Sequence, residues 1–460
     1  MTETLTTVQA KAGLTFRPGR WIDGWNAEDE TQWEEAGRAI ARRNLGWSVF
    51  AEFLGFVIWQ LWSITVVMLP AAGFDLTSGQ QFWLISVASL VGATLRFPYT
   101  FAVARFGGRN WTMISAALLL IPAIGLAIVV QHPEAPYGVL LAIAALGGLG
   151  GGNFASSMSN ITYFFPQREK GYALGLNAAG GNIGAAVAQL LVPIVVTLGA
   201  AGTLRIELAG WIWVPLILVA MWGAWRYMDN LSAAKSDFAG AAAALREPHL
   251  WIMALLYVGT FGSFIGFAGV FPKLIADQFP QFSSFQIGTA SVSLAFLGAL
   301  IGSLARPYGG KLADRFGGAR MAVASFGAMI AATIALIVLL PLGGFWAFLG
   351  CFLALFCATG VGNGATYRMI PAIFAARGAA TAGEAHAVGA QRKGAAALGL
   401  ISALGAYGGF LVPQVLNLSQ QTSGSYIPAF WCFVVCYAAL AAVTAFVYLV
   451  PRASLAGRIV

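Results

Sequence analysis

Apolar runs of roughly twenty residues recur along almost the whole of this chain, separated by short loops in which lysine and arginine gather. Each run is long enough to cross a hydrocarbon layer about 30 Å thick. Lipid offers no partner for backbone N–H and C=O groups, so the runs must be helices that satisfy their own hydrogen bonds. About twelve spans result, at 47–70, 80–104, 110–131, 137–165, 170–199, 210–228, 248–276, 285–309, 320–341, 345–374, 393–416 and 427–451. Only 10% of the residues are charged and 58% are hydrophobic, where a soluble domain would carry about 25% charged residues. The chain therefore reads as an all-α polytopic membrane protein.

The basic residues alternate by loop. Arg38, Arg42, Arg43, Arg105, Arg109, Arg168, Lys170, Lys235, Arg246, Lys311, Arg315, Arg320, Arg392, Lys393 and Arg452 fall on one side, and the opposite loops hold Arg205, Lys273 and little else. The positive-inside rule makes the basic side cytoplasmic and puts both termini there, as an even span count requires. The net charge of +8 thus orients the protein and points to no nucleic acid. Residues 1–46 are polar with an amphipathic end and no secretory pattern, which suggests a cytoplasmic arm with a short surface helix. Residues 452–460 would be a short tail on the same side. Cys351, Cys357, Cys432 and Cys436 lie in apolar spans with no histidine near them in sequence, so small buried hydrophobes are expected rather than a metal site or disulfide. No cofactor is implied.

The longest polar loop on the basic side, 229–247, divides the chain into bundles of six spans at 47–228 and 248–451. A shift of 210 residues lays "LRFPYTFAVARFGGR" over "ARPYGGKLADRFGGA", Arg96 over Arg306, and "GGGNFAS" over "GVGNGAT". Repeats of this kind mark two-bundle transporters with a substrate site near midplane between the halves. "GGKLADRFGGAR" also resembles the interior-loop signature of the major facilitator superfamily. There Asp314 and Arg315 would latch neighbouring helix ends on the cytoplasmic side. The first-half copy has Ala104 in place of the aspartate.

Three ionisable residues fall well inside spans: Glu52, Arg96 and Arg306. Arg368 is close enough to a helix end to snorkel. An arginine at a helix centre costs about 2.5–3.5 kcal/mol even on lenient scales, so such a charge is a functional hypothesis from the outset. The repeat places Arg96 and Arg306 at equivalent points, one per bundle, facing a common centre. Two forked, permanently charged guanidiniums suit a small planar oxyanion. One membrane carboxylate, Glu52, cannot neutralise both. It could still titrate and couple a proton to transport, or meet Arg42 or Arg43 near the basic end.

Spans 4, 5, 10 and 11 are rich in small residues that let helices approach backbone to backbone and slide: Gly151, Gly152, Asn153, Gly175, Gly180, Gly181, Gly184, Gly405, Gly408 and Gly409 among them. "GGGNFASSMSNITYFFP" and "KGYALGLNAAGGNIG" together closely resemble the nitrate signature of the nitrate/nitrite porter family, within the major facilitator superfamily. "LGLISALGAYGGFLVP" looks like its second-half counterpart. "LWIMALLYVGTFGSFIGFAGVF" and the arm stretch "GWNAEDETQWEEAGRAIARRNL" also resemble the family's bacterial exchangers. The resemblance implies that Arg96 and Arg306 clamp the anion, with Asn182 and Tyr257 as polar partners. Phe56, Phe154 and Phe261 would sandwich it, and Ser402 would line the pocket. Ala178 stands where an exchanger of the family has glycine.

What the resemblance implies is nitrate and nitrite as substrates, the bilayer as surroundings, and a protein of the bacterial inner membrane; a monomer is expected, although the sequence itself does not fix the oligomeric state. Nitrate/nitrite antiport by rocker-switch alternating access is the expected mode, with nitrate/proton symport through Glu52 as the alternative. A nitrate receptor that does not translocate would need a signalling domain, and none is evident. An enzyme would need a nucleophile–base–acid set or a metal cluster, which no span carries.

Overall fold

The computed structural model describes residues 13–198, 204–234, 238–379 and 397–450. Lys235, Arg392, Lys393 and Arg452 of the basic loops, and the 452–460 tail, lie outside the described residues. Eleven helical segments among the described residues are long and apolar enough to cross a membrane. In chain order the first six are α1 (Glu30–Thr65), α2 (Ser78–Phe106), α3 (Gly108–Val129), α4 (Tyr137–Phe164), α5 (Gln167–Thr197) and α6 (Leu208–Tyr227). The second set opens with α7 (Pro248–Gln278). Next comes α8 (Phe296–Phe316), whose 21 residues include Arg306, Lys311, Asp314 and Arg315 and so fall short of the apolar measure. The set closes with α9 (Gly318–Leu342), α10 (Phe345–Phe374), α11 (Ala397–Ser423) and α12 (Ile427–Tyr448). With α8 the expected twelve are present.

The first helix starts much earlier than position 47. Asp29 accepts a hydrogen bond from the Gln32 N–H and caps it. Its first turns then bury Trp33, Ile40, Ala41 and Leu45 with Phe164 and Phe165 from the end of α4. The segment before it is folded too. β1 (Thr15–Arg17) pairs antiparallel with β2 (Trp21–Asp23), and β2 pairs in parallel with β3 (Asn230–Leu231), just beyond α6. Asp229 is buried where these pieces meet. Its carboxylate takes Arg20 and Arg43, each at 2.7 Å, and the Asn44 amide at 2.9 Å. From residue 13 on, the expected arm with a surface helix is therefore a packed corner joining both ends of the first bundle, and residues 1–12 of it lie outside the described residues.

A second difference lies before α8. Residues expected to open that span form a hairpin instead, β4 (Phe285–Ile287) with β5 (Ala290–Val292), turning at Gly288 with φ +63°. The repeat itself is visible in the backbone. Gly107 after α2 and Gly317 after α8 have φ of 87° and 92°, and each ends its helix by donating its N–H to a carbonyl four residues back, Val103 and Ala313. Positive φ is open to glycine and strained for other residues, which explains glycine at both tight α2–α3 and α8–α9 turns.

The bundles meet along α2 with α11 and α5 with α8. On the face away from the basic loops the seam is tightly held. Gln414 donates to the Ser86 hydroxyl at 2.7 Å, Gln189 to the Ala268 carbonyl at 2.6 Å, and the Ser291 N–H to Thr197 at 2.8 Å. Lys273, read from sequence as a loop cation, is buried there inside α7. It donates to Gln81 across the seam at 2.9 Å and to Asp277 at 3.0 Å. Towards the basic face the picture changes: Tyr172 and Tyr308 are 75% and 65% exposed. Gly171, Gly175 and Gly310 have open space around them. The cysteines are free thiols, and Cys357, Cys432 and Cys436 lie exposed on outer helix faces rather than buried as expected.

Candidate substrate site

Arg96 on α2 is 0% exposed and Arg306 on α8 is 6% exposed. Each is followed closely by a proline inside its helix, Pro98 and Pro307. The two guanidiniums reach one aromatic core. Phe154 of α4 has Arg96 at 4.6 Å and Arg306 at 5.8 Å from its ring centroid. Arg96 also lies over Trp59 at 5.2 Å and Phe261 at 5.3 Å, and Arg306 over Tyr367 at 5.2 Å. Desolvated cation–π contacts of this kind are worth up to about 2 kcal/mol each, and they hold charge without consuming N–H donors.

The donors that are consumed leave a pattern. Arg96 Nε donates to the Gly151 carbonyl at 3.0 Å, and Nη1 to the Ser402 carbonyl and hydroxyl at 2.8 and 3.1 Å. Arg306 Nη2 donates to the Tyr257 hydroxyl at 3.3 Å. Arg96 Nη2 and Arg306 Nη1 are buried with no partner among the described residues. So are both amide atoms of Asn182 and of Asn153, Asn363 Oδ1 and the Tyr367 hydroxyl. An unpaired buried polar group costs about 1–3 kcal/mol, more when charged. A protein core tolerates so many only where something else completes them. A small, flat, multiply accepting anion would complete the donors among them: the two guanidinium nitrogens, the Asn182 and Asn153 Nδ2 groups and the Tyr367 hydroxyl.

The chain matches the description Major Facilitator Superfamily over residues 51–413. It belongs to that superfamily. Among its relatives, the nitrate/nitrite transporter NarU of Salmonella typhimurium is 41% identical over 451 residues, covering 93% of this chain and 96% of that protein. The Escherichia coli protein of the same name is 40% identical, with 92% and 95% covered. The probable nitrate/nitrite antiporter NarK2 of Thermus thermophilus is 35% identical, with 92% and 96% covered. Identity of this extent also makes the chain a member of the superfamily's nitrate/nitrite porter family. Two solved transporters share its fold at low identity. One is the nucleoside transporter NupG, with TM-score 0.57, 13% identity, and 87% and 98% covered. The other is a bacterial homologue of the lysosomal transporter Spinster, with TM-score 0.60, 16% identity, and 87% and 95% covered.

The superfamily's two-bundle frame places most of the expected residues together. Tyr257 and Phe261 stack at 5.2 Å across a π-turn (Val258–Gly262) in α7, a local widening common at functional sites. Phe261 stacks on Phe154 at 6.3 Å, and Phe56 meets Phe154 edge-on at 6.2 Å. Ser402 holds Arg96 from the opposite bundle, and Ala178 and Asn182 are buried on α5. Gly151, Gly152, Gly180, Gly181, Gly184, Gly405, Gly408 and Gly409 each sit so close to a neighbour that an added Cβ would collide, whereas Gly175 faces open space. Away from the centre, Asp314 pairs with Arg368 of α10 at 2.5 Å, while Arg315 lies over Phe316 at 5.2 Å.

Sequence reasoning missed Trp59, Tyr367 and Asn363. The last was within reach, since the 210-residue shift lays it on Asn153. Trp59 and Tyr367 carried no signal, because a ring under a guanidinium is a fact of packing. Glu52 also differs from one expectation. Arg43 is engaged by Asp229, so it is no partner for Glu52. Glu52 is instead wholly buried, against the same glycine, Gly181, as the Phe56 ring that meets Phe154.

Proposed function

We propose that this chain carries nitrate and nitrite across a bacterial inner membrane by alternating access, chiefly as a nitrate/nitrite exchanger. Its basic face, with both termini, is then cytoplasmic. The observation that supports this most is the pair of buried, unpartnered guanidinium nitrogens, Arg96 Nη2 and Arg306 Nη1, contributed by opposite bundles. One planar anion bridging them would satisfy both and draw the bundles together. The stacked Phe154 and Phe261 rings and the Asn182 amide would fix its plane and orientation.

Exchange follows from charge. When Glu52 is neutral, closing the site empty brings two cations together in a dry core, and a bound anion offsets that repulsion. If empty closure is disfavoured by about 4 kcal/mol, unloaded return slows roughly a thousandfold. A seam closed on the face away from the basic loops fits one end state of such a cycle. Counterflow in proteoliposomes tests the reading: internal nitrite is expected to speed uptake of labelled nitrate many-fold at clamped pH. Equal nitrate uptake with and without an internal anion, at every pH, would overturn exchange.

A further inference from the structure

Glu52 lies in the same buried centre yet bonds to none of it. Its side chain and that of Phe56, one turn on, press against a single glycine of α5. A Cβ at Gly181 would come within 2.6 Å of Glu52 Cγ and 3.1 Å of Glu52 Oε1, and within 3.1 Å of the Phe56 ring. Phe56, which shares that glycine, meets Phe154 edge-on at 6.2 Å, and Phe154 carries both guanidiniums, Arg96 of α2 and Arg306 of α8. The faces nearer to it are uncharged: Ser157 from α4, and Gly181 beside Asn182 from α5. Neither carboxylate oxygen makes a hydrogen bond of proper geometry, and Glu52 makes no ion pair within 4.0 Å among the described residues. A structural ion pair in a dry core needs contact and satisfied oxygens to offset desolvation, and this arrangement has neither. Glu52 is placed to balance the arginines' charge while leaving their N–H groups free.

We propose that Glu52 is a titratable counter-charge of the site: at a pH where it is ionised in the empty carrier it takes up a proton when an anion binds, and at a pH where it is already neutral the carrier is held to exchange. The charge count then stays level. Empty, the centre has two guanidiniums and one carboxylate. Loaded, it has two guanidiniums, a neutral carboxyl and one anion, so each anion arrives with one proton from solution bound to a Glu52 oxygen. A small polar cluster lies beside Glu52. Ser157 hydrogen-bonds Ser48 at 3.0 Å and the Asn177 amide at 2.5 Å. All three lie on the basic-face side of Glu52 along α4, α1 and α5, and a hydroxyl both accepts and donates. With Glu52 ionised the empty carrier holds its own counter-charge and can reorient unloaded. With Glu52 neutral it must exchange. The protonation state of one side chain thus sets how strictly transport is coupled.

This inference rests on the anion site proposed above, and the experiment separates the two. Sodium nitrate is added to the purified full-length protein in weakly buffered detergent, with a pH dye reporting protons and calorimetry reporting binding. Proton uptake is expected to approach one per nitrate bound. Nitrate affinity is expected to fall by up to about tenfold per pH unit once Glu52 ionises, because one proton is linked to binding. Glu52→Gln should bind nitrate with an affinity flat in pH and take up no proton. Nitrate binding to the wild type without proton uptake at any pH would overturn the role of Glu52 and leave the anion site standing. Equal uptake by Glu52→Gln would place the proton on another group, which likewise removes Glu52 from the role and spares the anion site. Absence of nitrate binding by the wild type would sink the anion site and this inference with it.

Discussion

Replacing either arginine by lysine keeps the charge and removes the fork, and the structure makes the two replacements unequal. Arg306 gives one long hydrogen bond, 3.3 Å to Tyr257, and keeps Nη1 free. A lysine there can reach the tyrosine or the anion, and not both with good geometry. Losing one charge-assisted hydrogen bond to the anion removes about 1.5–3 kcal/mol. Nitrate affinity should therefore fall about 10–150-fold in Arg306→Lys, with thermal stability little changed. Arg96 also ties α2 to α4 through the Gly151 carbonyl, and to α11 of the other bundle through Ser402 at 2.8 and 3.1 Å. Arg96→Lys should lose the same affinity and loosen the seam, lowering Tm as well. Calorimetry with nitrate and a thermal melt on each variant measure both effects. If Arg306→Lys bound nitrate within about threefold of wild type, the bridging role assigned to its second nitrogen would be wrong.

Two further outcomes follow from packing. Gly151→Ala would put a Cβ 2.6 Å from the Trp59 ring that lies under Arg96. The overpacking should cost about 1–3 kcal/mol in a thermal melt and displace Arg96, so nitrate binding should weaken too. Asp229→Asn leaves Arg20 and Arg43 without their buried carboxylate. Breaking a buried ion network from one side costs about 3–5 kcal/mol, so the variant should melt earlier or fail to accumulate. Since Asp229 bonds Arg20, Arg43 and Asn44 and neither arginine of the pair, nitrate affinity of whatever folds should be unchanged.

The membrane architecture was legible because hydrocarbon imposes it: span length, helical backbone and loop charge all follow from the solvent. The arginine pair was legible because an intramembrane charge is costly and the 210-residue repeat aligned the two. What escaped depends on contacts between distant stretches. Lys273 read as a loop cation because its partners, Gln81 from α2 and Asp277 one turn on, meet it only in the closed seam. The 1–46 stretch read as a separate arm with a surface helix because β3 lies over two hundred residues from β2. Periodicity ran the eighth span into the hairpin at 285–292, whose apolar residues look like the start of a helix. Glu52 was singled out, but whether it met Arg43 or the arginine pair was beyond a one-dimensional reading.

The most direct measurement is a structure determined with nitrate bound. One planar density should lie between the two bundles, with oxygens about 2.7–2.9 Å from both Arg96 Nη2 and Arg306 Nη1 and its plane set by the Phe154–Phe261 stack. Nitrate held by only one of the arginines, or found outside the Phe154 cluster, would contradict the shared clamp from which the transport mechanism is derived.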